Sequence, residues 1–158
     1  MLNLKAQNPS DLYETFFIGE RGLQYFIKPI SFEDNLAKTT LEIDITFRYK
    51  NEIKDSATVN FFLISKEVIK QIDSLHIINP IGRIQTKNIQ FLFVEKRKDL
   101  FYSRFTTQYS LKDICEIFKN QDWLIIGYFT NKTSRKFQPS AKTLKNLAKV
   151  NKSIFVLF

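Results

Sequence analysis

Cysteine and histidine, the residues that most often build redox, metal and nucleophilic centres, occur once each, as Cys115 and His76. A lone cysteine closes no internal disulfide, so nothing signals an oxidising compartment and a cytoplasmic address is the expectation. A zinc site would have to draw most of its ligands from carboxylates, which is uncommon for structural zinc. Neither a metal nor a cofactor is therefore expected. Glycine is scarce as well, and Gly19, Gly22, Gly82 and Gly127 are scattered along the chain. A phosphate-binding loop needs clustered glycines so that backbone N–H groups can approach the anion, which excludes a P-loop and a dinucleotide fingerprint.

No stretch approaches the roughly 18 apolar residues of a membrane span, and the first residues lack the basic and then apolar run of a signal peptide. Secretion and membrane insertion are disfavoured on those grounds. No internal repeat and no Pro/Gly/Ser-rich linker divides the sequence, so residues 1–158 read as a single domain. A chain of that length buries roughly two thirds of its unfolded surface without needing a disulfide or metal.

What is abundant is phenylalanine, sixteen residues against one tryptophan, which points to a core of large rings carried on strands. Residues 41–50 give the clearest strand: Leu41, Ile43, Ile45, Phe47 and Tyr49 alternate with polar neighbours at the period of two that segregates apolar groups to one face. Residues 57–64 are its antiparallel partner across a polar connection at 51–56. A second hairpin joins 89–95 to 100–107 through the charged tip Lys96-Arg97-Lys98-Asp99. Strands at 15–18 and 23–30 flank the turn Gly19-Glu20-Arg21-Gly22, and 123–130 is apolar enough for a central strand.

Three helices are predicted. Ser65 caps the first, through Leu75, with Val68, Ile69, Ile72 and Leu75 on one stripe. Ser110 opens the second, whose Leu111, Ile114, Cys115 and Phe118 follow helical spacing and point Cys115 inward. Pro139-Ser140 opens the third, over 141–150, and 153–158 closes the chain as an apolar strand. The expected class is α+β, an antiparallel or mixed sheet built from hairpins with about three helices packed on it.

Catalytic sets are hard to assemble from these residues. Asp73-Ser74-Leu75-His76 holds the residue types of a triad, but neighbours in sequence do not supply its geometry. Glu42 and Asp44 share a strand face, and with Glu95 they are the acids a metal-dependent nuclease would use.

The charge of +8 is localised: residues 131–158 contain Lys132, Arg135, Lys136, Lys142, Lys145, Lys149 and Lys152 and no acid. The last four recur at steps of three, four and three, along one side of a helix whose other side carries Leu144, Leu147 and Ala148. Asn131 to Pro139 reads as a basic loop preceding it, and Lys96, Arg97 and Lys98 form a second basic spot. Three readings share this pattern. The lysines are a solvated helix face, or they engage an acidic protein partner, or they hold DNA or RNA without sequence preference. For the last, Tyr102, Tyr109, Tyr128 and Phe137 beside Arg104 and Arg135 are the rings on which bases would stack. The reading taken forward is a small non-enzymatic interaction protein with an acidic partner.

Overall fold

The computed structural model describes residues 6–7, 11–50, 56–86 and 88–158. In chain order the strands are β1 (Ala6–Gln7), β2 (Tyr13–Phe17), β3 (Leu23–Asp34), β4 (Thr39–Tyr49), β5 (Ser56–Ser65), β6 (Ser74–Ile78), β7 (Arg83–Thr86), β8 (Gln90–Arg97) and β9 (Leu100–Ser110). Helix α1 (Leu111–Ile117) follows, then β10 (Leu124–Tyr128), β11 (Ser134–Pro139) and α2 (Ala141–Ser153). The sheet runs β7-β6-β10-β11-β3-β4-β5-β9-β8, with β2 beside the first half of β3 and β1 beside β2. Every strand pair is antiparallel.

This overturns the α+β expectation. Among the described residues 54% are in strands and 18% are helical: the fold is mostly antiparallel β, a sheet curled into a half-barrel, with two helices rather than three. The hairpins read from alternation are present as β4–β5 and β8–β9, although the connection at 51–55 lies outside the described residues. Leu41, Ile43, Ile45 and Phe47 face the core, packed with Phe61, Phe105 and Ile27. No helix among the described residues is long and apolar enough to cross a membrane.

The helix expected from Ser65 through Leu75 is absent. Residues 66–73 form an irregular strap across one end of the half-barrel, from the end of β5 to the start of β6, and the apolar residues that mimic a helical stripe plug that end, with Ile69 and Ile72 buried. Ser65 does not cap a helix: its hydroxyl accepts from the Glu67 N–H at 3.0 Å and donates to the Glu67 carbonyl at 2.7 Å.

The last segment is not a strand either. α2 runs on to Ser153, and a 3-10 turn at Phe155–Leu157 places Phe155 against Phe47 and Phe118 and Phe158 against Tyr49. These rings, with Trp123 stacked on Phe32, fill the concave side of the sheet. α1 is held there by Asn79, whose amide donates to the carbonyls of Ile117 (2.7 Å) and Asn120 (3.0 Å) at its C-terminal end.

The curl brings β7 against β9, and side chains seal that seam. Tyr109 donates to the Leu75 carbonyl at 2.7 Å, Thr86 and Thr107 hydroxyls meet at 2.8 Å, and Thr107 donates to the Asn88 carbonyl at 3.0 Å. Removing only the Tyr109 hydroxyl, with Tyr109→Phe, is expected to lower stability by about 1 kcal/mol in a urea titration.

At the opposite end from the strap, the turn between β2 and β3 depends on Gly22. Its φ of 87° lies in the left-handed region, and a Cβ there would meet the Tyr49 carbonyl oxygen and lie 2.8 Å from Lys50 Cβ. Gly22→Ala combines backbone strain with a collision against main chain, and is expected to reduce stability by about 2 kcal/mol or more, read as a lowered melting temperature.

Candidate functional site

The antiparallel register collects four connections at the strapped end: the turn at 35–38, the strap at 66–73, the β8–β9 tip and the β10–β11 turn. This rim carries an unusual backbone feature. Among the described residues the non-glycine positions with positive φ are Lys38 (48°), Lys98 (54°) and Lys132 (62°), and each lies in one of these turns. Left-handed backbone costs an L-residue roughly 1–2 kcal/mol, and turns normally meet that demand with glycine or asparagine. Here three turns of one rim use lysine instead.

Local chemistry holds the turns in shape. Asp34 Oδ1 accepts from the N–H groups of Leu36 (3.0 Å) and Ala37 (3.1 Å), and Asn131 Oδ1 accepts from the Thr133 N–H at 3.1 Å. Between them open three clefts of 790, 400 and 290 Å³, all lined by Arg135. The Arg135 guanidinium donates to Thr39 Oγ1 at 2.8 Å, lies 3.8 Å from the Glu67 carboxylate on the strap and covers the Phe129 ring at 5.2 Å. It is thus fixed at the junction of turn, strap and sheet.

The structure places the predicted basic residues in two groups. Lys96, Arg97 and Lys98 and, five strand positions away, Lys132, Arg135 and Lys136 belong to the rim, separated by about 24 Å measured along the sheet. Lys142, Lys145, Lys149 and Lys152 lie on the exposed side of α2, opposite the buried Thr143, Leu147 and Val150. The helix starts beside β3, where Thr143 Oγ1 donates to the Ser31 carbonyl at 2.7 Å, and runs away from the rim. Arg97 pairs with Glu95 at 2.8 Å. Among the described residues, Lys98, Lys132, Lys136 and the four α2 lysines have no ion-pair partner. Sequence reading missed Lys38, because a lone lysine gives no signal of left-handed backbone.

Other candidates are drawn into structural bonds. Tyr109 and Phe137 are core residues, Tyr128 packs on His76, and Tyr102 is covered by Arg97 at 4.4 Å. His76 Nε2 lies 3.1 Å from Ser74 Oγ, but Arg83 donates to His76 Nδ1. An acceptor at Nδ1 leaves the hydrogen of a neutral ring on Nε2, facing the serine. A triad base needs the reverse arrangement, with a carboxylate at Nδ1. Asp44 is ion-paired to Arg104 at 2.7 Å and Glu95 to Arg97, with β5 and β9 between the two acids, and no group of three His, Cys, Asp or Glu among the described residues is placed to hold a metal. The Cys115 thiol is pushed up to about 11, chiefly by burial on α1 and secondarily by Glu116, so the reactive thiolate is scarce near neutral pH.

No protein-family model matches the chain, and no curated protein and no solved structure matches it.

Proposed function

We propose that this chain is a non-enzymatic binding protein that engages an acidic protein partner through the basic rim and the lysine stripe leading from it along α2. The left-handed lysines at 38, 98 and 132 carry the reading: backbone strain clusters where a side chain is needed for function, and here the residue at each strained position is an exposed cation.

A protein partner fits this rim better than a nucleic acid. Leu36 is 99% exposed at the tip of one turn and Val68 is exposed on the strap, so apolar surface lies among the lysines. Of the rings expected to stack on bases, Tyr109 and Phe137 are in the core, Tyr128 packs on His76 and Tyr102 is covered by Arg97.

The test uses labelled polyglutamate and single-stranded and duplex oligonucleotides, titrated against the protein at several salt concentrations. Polyglutamate should bind, and reversing Lys142, Lys145 and Lys149 to glutamate should abolish capture while the circular dichroism stays native. Tight, steeply salt-dependent binding of oligonucleotides alone would replace the protein partner with a nucleic acid. Unchanged polyglutamate capture by the reversed variant would sink the proposal.

A further inference from the structure

β8 ends the sheet, and among the described residues nothing pairs with its outer edge. Its apolar side chains are open too, on both faces: Phe91, Leu92 and Phe93 are 36%, 49% and 46% exposed. Soluble proteins rarely leave an apolar strand on an open edge, because its free N–H and C=O groups template further pairing. From Phe93 to Arg97 the strand is regular, after an irregularity between Phe91 and Phe93. On the convex face Phe93 extends a ring cluster in which Phe62 meets Phe93 at 6.2 Å and Tyr102 at 5.9 Å, braced by Arg104 over Phe62 at 4.5 Å. That side of the edge is thus preformed by packing.

We infer that β8 accepts an extended segment of the acidic partner as an added antiparallel strand, with consecutive acidic residues opposite Lys96–Lys98 and aliphatic residues opposite Phe93 and Val94. This rests on the proposed function and names how the partner is held. Charge decides against a second copy of the chain as the occupant. Antiparallel self-pairing must place residues of equal parity opposite each other, because one face of the sheet must stay one face. An axis at Phe93 or Val94 sets Lys96 against the irregular stretch 90–92, which holds no carboxylate, and an axis at Glu95 makes two glutamates collide and sets Lys96 opposite Val94. At Lys96, two lysines collide, the overlap shrinks to the hairpin tip, and the Glu95–Arg97 pairs across the axis only exchange the pair each chain already makes within itself. No such register gives Lys96 a carboxylate, and a parallel copy would stack the basic tips on each other. The lysines that disfavour self-association are the ones an acidic strand would answer.

The probe is a heptapeptide of three glutamates followed by threonine, valine, isoleucine and valine, titrated against the intact protein with amide hydrogen exchange as the readout. Binding should slow exchange selectively within residues 93–97. N-methylating alternate peptide residues on the edge that faces β8, and separately the pair Lys96→Glu with Lys98→Glu, should each weaken binding at least about tenfold. Equal binding by the N-methylated peptide, protection confined to other segments, or no binding at all overturns the inference. So does a concentration-dependent dimer that protects β8 without peptide, since the occupant is then a copy. Polyglutamate capture in the same preparation separates these failures from failure of the proposed function, because it does not need a paired edge.

Discussion

Arg104→Met should lower the stability of this protein by about 4 kcal/mol, the magnitude found when one member of a buried ion pair is removed. Asp44 is buried on β4, and its carboxylate accepts from Arg104 Nη2 at 2.7 Å and from Asn60 Nδ2 at 3.2 Å. Methionine keeps much of the aliphatic stem but leaves the carboxylate with one amide donor in a place water hardly reaches. It also strips the guanidinium from the Phe62 ring, a contact worth roughly 0.5–2 kcal/mol. Urea denaturation reads the loss as a lower midpoint at constant slope. The orphaned charge is the main cost, so adding Asp44→Asn to Arg104→Met should recover stability relative to the single variant. A loss below about 1 kcal/mol would mean that the pair behaves as a surface salt bridge, with solvent reaching Asp44.

That pair also shows where sequence reading stops. The alternation in 41–50 declares Asp44 to be outward-facing, and it is; what alternation cannot declare is that Arg104, sixty residues later, comes to lie two strands away and closes over it. Local pattern sufficed for the hairpins, because period two and a charged tip are properties of neighbouring residues. It failed for 65–75, where Ile69 and Ile72 are apolar for the same reason in a strap as in a helix, and their spacing alone does not distinguish the two. The chain end misled in a similar way: Phe155 and Phe158 are apolar because they close the concave core, which strand pairing would not do. Of the basic residues, the exposure of the α2 stripe was legible from its spacing, since four lysines opposite Leu147 have nowhere else to face. The rim was not legible, because it exists only once the curled sheet gathers its turns at one end.

The rim makes the sharpest prediction, since stability and binding should move in opposite directions. Replacing Lys38, Lys98 and Lys132 together by asparagine keeps a polar side chain, tolerates the left-handed backbone and deletes three positive charges. If each site is relieved of a few tenths of a kcal/mol, the triple variant gains about 1 kcal/mol, or roughly 2–4 °C in melting temperature for a chain of this size. Polyglutamate affinity should fall on the order of 100-fold at low salt, with the deficit shrinking as salt is raised, because each exposed charge contributes about 1 kcal/mol to an unscreened polyanion. A substitution that damaged the fold would lower both quantities, and one at an idle surface would leave affinity alone. Greater stability with weaker binding is the signature of residues kept in a strained conformation for what they hold. Unchanged affinity in a stabilised variant would show instead that these lysines are merely solvated turn residues, and the proposed rim would fall with them.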